Sequence, residues 1–437
     1  MANKSEKLFN QALKVLPGGV SRNTIFRKPY PFYADKGKGC YLTDVEGVTR
    51  IDFANNMASL IHGHAYPAIV DAVSAQLAKG SCFTMATEVE INYAQLLCDR
   101  VPSFDKIRFV NSGTEAVMAM LKASRAYTGK AKIAKVEGAY HGSYDYAEVS
   151  QTANPSNWGE VDKPNSSAVA KGTPPKALED VVVIPFNDPE RAIKILDQHK
   201  DEIACVLVDL LPHRVGLIPA SNAFINALHK WTCEHSSLLV FDEVITFRTN
   251  YSGAQQNYDV SPDLTALGKV IGGGFPTGAL AGSNKVMKVL DPTEPKVLLP
   301  HSGTFSANPI TMTAGLIAMK DFDQTAVTKL NDLAIYAKEG ITQAIADTGI
   351  GACITGAGSM FRIHLKAQPP KNYREAYVDK AEGQLITKLL DYLFDNGIMM
   401  INTCSATLST AMGKKEIDHL VSVLKDAFEM LKPEMTK

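Results

Sequence analysis

The chain has 437 residues, 45% hydrophobic and 21% charged, with 45 Lys+Arg against 46 Asp+Glu and a formal net charge of -1. At about 150 residues per domain this predicts two to three domains, long enough to bury their cores without disulfides or metals. The charge balance argues against a nucleic-acid or polyanion binder, and no run approaches the roughly 18 apolar residues of a membrane helix.

In chain order, Met1 to Leu16 mixes Lys4, Glu6, Lys7 and Lys14 with apolar residues and predicts an amphipathic helix rather than a signal peptide. Gly39 to Gly47 predicts a hairpin, within an N-terminal segment (1–55) that joins the C-terminal part of the chain. Through the middle, short apolar runs alternate with helical spacing. Strands are expected at Ile107–Val110, Lys132–Val136, Val181–Pro185, Ala204–Val208 and Leu238–Phe241, and helices at Glu115–Tyr127, Asp188–Asp197 and Ser221–His235. This pattern predicts an α/β domain (56–322) with a mostly parallel sheet between helices. Gln151 to Ala177, with four prolines and little periodicity, reads as a surface excursion. From about 323 to 437 the pattern becomes a smaller α+β domain. Its expected elements are a helix with the stripe Leu330, Leu333, Ala334, Ala337, a strand Met360–Leu365, and helices Ala381–Asn396 and Lys415–Leu431. The seven cysteines are scattered and form no CxxC pair, so a reducing cytoplasm is expected and a zinc ribbon is not.

Five segments carry chemistry. Val110-Asn-Ser-Gly-Thr-Glu-Ala116 runs from a strand straight into a helix. The hydroxyls of Ser112 and Thr114, Gly113 and the free N–H groups there can bind a phosphate, although a plain N-cap uses the same residues. Asp242, in Leu238-Leu-Val-Phe-Asp-Glu243, stands at a strand end, where open α/β sheets bind ligands; a cap or surface ion pair is the simpler alternative. Lys269 sits in an apolar segment beside Gly272-Gly-Gly274, where burial would free its amine for nucleophilic chemistry. Those glycines follow no clear strand and are not a dinucleotide fingerprint. Tyr140, in Glu137-Gly-Ala-Tyr-His-Gly142, can stack on a flat ring or pack in a loop. His301-Ser-Gly-Thr-Phe305 offers another hydroxyl for an anion, or a plain turn. Together these parts make up the kit for pyridoxal 5'-phosphate: a phosphate cup, a stacking ring, an acid for the pyridinium nitrogen and a lysine for the imine.

With these motifs, and with Pro17-Gly-Gly19 and Gly63-His64, the sequence resembles the class III pyridoxal-phosphate aminotransferases over nearly its whole length. Within that family it is similar to the glutamate-1-semialdehyde aminomutase and β-amino-acid aminotransferase branch. The resemblance implies fold type I and a homodimer with shared active sites. It implies Lys269 as the imine lysine, Asp242 as the pyridinium partner and Ser112, Gly113 and Thr114 as the phosphate cup. Tyr140 would be the stacking ring, followed by His141, and Thr304 would reach the phosphate from the neighbouring subunit. The implied reaction is amino transfer from an amino donor to a keto acid through a pyridoxamine intermediate.

The departures bear on substrate. Asp209-Leu210 stands where most of the family has Glu-Pro, and the chain has no arginine after Arg374, so a C-terminal carboxylate clamp is missing. After Asp242 the run Glu-Val-Ile-Thr-Phe-Arg248 looks closer to the β-amino-acid branch than to the aminomutases. Arg22 falls where β-amino-acid enzymes bind the substrate carboxylate, with Arg27 and Arg214 as weaker candidates; each can also be a solvated surface arginine. Met57 lies where the family lines the substrate pocket, or is plain core. The His62/His64 pair, with His141 further on, suggests a metal, but no Cys or third ligand follows the pair at a zinc-like spacing, and no metal is expected. The expectation is an aminotransferase favouring a β-amino acid. The alternatives are a 2,1-aminomutase and an ω-transaminase for simple amines.

Overall fold

The computed structural model describes residues 3–435. Its centre is a seven-stranded sheet of β1 (Lys106–Val110), β2 (Lys132–Val136), β3 (Val181–Ile184), β4 (Ile203–Val208), β5 (Leu238–Asp242), β6 (Leu264–Gly268) and β7 (Gly278–Gly282). The spatial order is β1-β7-β6-β5-β4-β2-β3. The β2–β3, β2–β4, β4–β5 and β5–β6 pairs are parallel, while β7 runs antiparallel to both β6 and β1. Every residue of β3 to β7 is buried, as expected for strands covered on both faces.

The first five strands lie within one residue of their expected ends. β6 and β7 were not expected, and the triple glycine therefore does follow a strand, contrary to the sequence reading. Leu-Thr-Ala-Leu-Gly and Gly-Ala-Leu-Ala-Gly carry little β-branched character, so their neighbours impose the extended conformation. At Gly278 a side chain has no room: a Cβ there would lie 2.1 Å from the carbonyl oxygen of Ser112.

The helix after β1, Gly113–Thr128, starts at the Ser112 cap, whose Oγ accepts from the Glu115 N–H at 3.1 Å, and ends at Gly129 with φ +72°. Its Ala116, Met120 and Ala123 are buried. Asp188 and Ser221 cap the helices Pro189–Asp197 and Asn222–Glu234 in the same way.

The N-terminal helix spans Lys4–Ala12; Met1 and Ala2 lie outside the described residues. Gly39–Gly47 is more than one hairpin. Strand Tyr41–Asp44 pairs antiparallel with Ala34–Lys38 on one side and with Thr49–Asp52 on the other. Thr49–Asp52 in turn pairs in parallel with Ile398–Met399. The C-terminal part adds a three-stranded antiparallel sheet (Cys353–Thr355, Met360–His364, Ser405–Thr407) and helices Gln324–Thr348, Lys380–Asp395 and Lys414–Met435. Phe53, Phe361, Leu389 and Phe428 share one apolar core there.

The excursion from Gln151 is pinned down. It holds a small hairpin, Gly159–Glu160 with Lys163–Pro164. Arg374 donates to the carbonyls of Trp158, Gly159 and Glu160, and the Tyr373 hydroxyl donates to Ala153 O at 2.6 Å. Arg374 also pairs with Glu137 at 2.9 Å, so the last arginine of the sequence is already engaged.

Candidate active site

Parallel strands end at one edge of the sheet, and the loops leaving that edge collect the chemistry. β1 leads to Asn111–Thr114, β2 to Tyr140 and His141, β4 to Asp209, β5 ends in Asp242, and β6 leads to Lys269. Ser112, Gly113, Thr114, Tyr140, His141, Asp209, Asp242 and Lys269 line one cavity of about 330 Å³. The close approach of these loops depends on Gly113, where a Cβ would meet Val244 Cγ1 at 2.6 Å.

Asp242 is buried. Its Oδ2 pairs with His141 Nδ1 at 2.7 Å, and its Oδ1 accepts from the Val244 N–H at 3.0 Å. Burial pushes the His141 imidazole toward its neutral form, with Asp242 opposing. A neutral ring that donates from Nδ1 to Asp242 leaves Nε2 as an acceptor, and Nε2 is buried with no hydrogen-bond partner among the described residues. Asp209 is also buried. Burial first, and the charge of Asp242 second, hold its carboxyl well above the ordinary carboxylate range, while the Leu211 N–H donates to its Oδ1 at 2.9 Å. Lys269 follows β6 with φ +48°, a left-handed conformation that non-glycine residues adopt at a cost and that recurs at functional sites. Desolvation lowers its ammonium pKa; Asp242 and Asp209 pull it back up. The amine is thereby brought closer to its free, nucleophilic form.

The donor set fits pyridoxal 5'-phosphate. The start of a 16-residue helix leaves the first N–H groups free beside the hydroxyls of Ser112 and Thr114. An acid, an aromatic face and a buried amine share the same cavity. Ser112 is both the N-cap of this helix and part of the cavity wall.

The family model for class III aminotransferases matches residues 26–428. The chain belongs to that family. This aminotransferase is therefore an enzyme of fold type I that works with pyridoxal 5'-phosphate. It is 35% identical over 429 residues to a glutamate-1-semialdehyde 2,1-aminomutase of Methanothermobacter thermautotrophicus, covering 98% of this chain and 99% of the relative. Among solved structures it resembles an omega-transaminase from Sphaerobacter thermophilus, with 44% identity, 98% of each chain covered and a TM-score of 0.96. It also resembles a β-phenylalanine aminotransferase from Variovorax paradoxus, with 30% identity, 98% and 94% covered and a TM-score of 0.87.

The substrate candidates lie differently from the cofactor candidates. Arg22 is exposed and does not itself line the cavity, but its Nη1 donates to Oδ1 of the lining residue Asn56 at 2.8 Å, which holds its guanidinium beside the rim. Arg214 stands over the Tyr140 ring, 5.1 Å from its centroid, and donates to Gln151 O at 3.1 Å. Arg27 pairs with Asp391, away from the cavity. Met57 is half-buried and outside the cavity wall, although Asn56 and Ser59 are part of it. Thr304 is exposed and does not line the cavity of its own chain. His62 is spent on Thr410 and Ala318 O, and His64 on Asp52. Among the described residues no group of three or more His, Cys, Asp or Glu is arranged to hold a metal, and no helix is long and apolar enough to cross a membrane.

Sequence reasoning noted Asp209 as a departure but did not foresee it as cavity wall. It missed Asn56, Ser59 and Thr277 altogether. The Gly-Phe-Pro-Thr-Gly run after the triple glycine was the available signal for Thr277. Asn56 left none, because its placement depends on the contacts described below.

Proposed function

We propose that the enzyme transfers the amino group of a β-amino acid to a keto acid, with Arg22 receiving the donor's carboxylate. The observation that carries this reading is the Arg22–Asn56 hydrogen bond at the cavity rim, which brings a guanidinium to the edge of the reaction cavity. A planar guanidinium binds a carboxylate through two parallel hydrogen bonds. The resemblance to the Variovorax β-phenylalanine aminotransferase supports the same reading.

In this reading Lys269 Nζ binds the cofactor covalently. With its amine free, Lys269 carries the proton from the substrate carbon to the cofactor carbon that had borne the imine, rather than back to the carbon it left. Ser112, Gly113 and Thr114 hold the phosphate, and Tyr140 covers the ring. Asp242, fixed by His141, keeps the ring nitrogen protonated. When bound, the cofactor supplies an electron sink for the C–H bond that breaks. Arg214, above Tyr140, shapes the outer pocket, and Met57 acts on it only through the turn that it shares with Asn56. The chain works as a homodimer in which Thr304 of each subunit completes the phosphate site of the other, which accounts for its exposure here. The division 1–55, 56–322 and 323–437 is supported by the sheet that joins the first and last parts. A cytoplasmic location is supported by seven free cysteines.

The test is the visible spectrum of the purified enzyme before and after a 3-amino acid is added without acceptor. Loss of the long-wavelength band supports the reading, and Lys269→Ala should show neither band nor turnover. A band unmoved by any 3-amino acid rejects the donor. A second reading, a 2,1-aminomutase, is favoured by the name of the Methanothermobacter relative. It predicts turnover of a single substrate with no acceptor. Turnover of simple amines in preference to 3-amino acids would support an ω-transaminase, as the Sphaerobacter neighbour is named.

A further inference from the structure

Asn56 sits in an unusual stretch of backbone. Asn55, Asn56, Met57 and Ala58 have φ values of +43°, +47°, +57° and +71°, one turn of left-handed helix built without glycine. Four contacts hold it. Asp52 Oδ1 accepts from the N–H groups of Ala54 and Asn55, both at 2.9 Å. Asn55 Nδ2 donates to Thr407 O at 2.7 Å, and the buried Arg248 donates from Nη1 to Ala58 O at 3.1 Å. Met57, carried on the same turn, is left off the cavity wall, while Asn56 stands on it.

The amide of Asn56 is oriented by its own surroundings. Its Nδ2 donates to Ser59 Oγ at 3.1 Å, and the same hydroxyl donates to the Asn56 carbonyl at 2.9 Å. The nitrogen end is thus engaged, and Oδ1 is left facing Arg22 Nη1 at 2.8 Å. Among the described residues Arg22 forms no ion pair, whereas Arg27, Arg50, Arg191 and Arg374 each have a carboxylate. An amide oxygen aims a guanidinium without cancelling its charge; a carboxylate in the same place would cancel it.

We propose that Asn56 is a positioning residue for substrate selection: it holds Arg22 at the cavity rim through a neutral acceptor, so that the whole positive charge is offered to the donor's carboxylate. This rests on the reading of Arg22 as the carboxylate site.

The experiment compares wild type, Asn56→Gly, Asn56→Asp and Arg22→Ala on 3-aminobutanoate and sec-butylamine, two donors that differ in the carboxylate. Glycine tolerates the left-handed backbone, so N56G removes the amide without adding strain. N56D keeps the shape and adds the charge. The expected result is a rise of about tenfold in the ratio of the 3-aminobutanoate KM to the sec-butylamine KM for N56D, shrinking at high ionic strength, and of roughly threefold for N56G. Calorimetric binding of butanoate to the holoenzyme should weaken in the same order. Equal losses on both donors would make Asn56 merely structural and overturn the proposal. So would an unchanged ratio in N56D and N56G beside a raised ratio in R22A. An unchanged ratio in R22A, or a wild type without preference for the carboxylate-bearing donor, overturns the reading of Arg22 and the proposal with it.

Discussion

Lys135 offers a sharp test of how the loop carrying Tyr140 and His141 is held. It lies on β2, fully buried, and its Nζ donates to Ala139 O at 3.0 Å and to Val149 O at 2.6 Å, the two ends of that loop. Burial lowers its pKa to about 7; Arg214 acts in the same direction, and Glu137 and Glu148 oppose. The unfolded chain holds this proton up to its ordinary pKa of 10.5, so between 7 and 10.5 the unfolded state binds more protons and stability rises with pH. These two values make the buried lysine cost about 4 kcal/mol at pH 7 and about 2 kcal/mol at pH 9, a rise in stability of about 2 kcal/mol across that interval. Lys135→Met removes this cost but leaves two carbonyls without their donor, at about 1–3 kcal/mol each. The net effect at pH 7 is therefore near zero, and at pH 9 the variant is the less stable protein by about 2 kcal/mol more than at pH 7. Urea unfolding of wild type and K135M at both pH values, followed by circular dichroism, measures the difference, in which the other titrating groups cancel. A wild-type-minus-variant difference that is the same at both pH values would refute the argument, because it would mean that Lys135 does not change its charge state relative to the unfolded chain in this range.

Two further predictions concern the carboxylates. Asp242→Asn keeps the shape and the contact with the Val244 N–H but removes the charge, so steady-state kcat should fall about a hundredfold to a thousandfold; a fall of less than tenfold would exclude charge pairing with the ring nitrogen as its role. Burial and the charge of Asp242 both push Asp209 toward its neutral form, so Asp209→Asn, which retains the acceptor for the Leu211 N–H, should leave kcat/KM at pH 7 within about threefold, and Asp209→Ala should lose about tenfold. A hundredfold loss in D209N would show that Asp209 acts as an anion.

The parts legible in the sequence were those encoded within a few consecutive residues. The Ser112 cap and the helix behind it, the apolar run ending in Asp242 and the isolated Lys269 each carry their signal locally, because capping, strand periodicity and burial of a short run depend on near neighbours. The same reasoning missed β6 and β7, whose glycine- and alanine-rich sequences have little preference of their own and become strands only between their partners. Tertiary structure alone decided which residues meet. Five strand ends share one edge because of the order β1-β7-β6-β5-β4-β2-β3. Asp209 becomes a wall of the cavity whose carboxyl is pushed toward its neutral form by burial and the nearby Asp242 together. Asn56 reaches Arg22, and Met57 does not reach the cavity, because Thr407 and Arg248, together with Asp52, hold a left-handed turn that Met57 and Ala58 would not adopt on their own. Hydrogen bonds between residues 190 and 352 positions apart select a backbone that is unfavourable in isolation, and that choice exists only once the chain has folded.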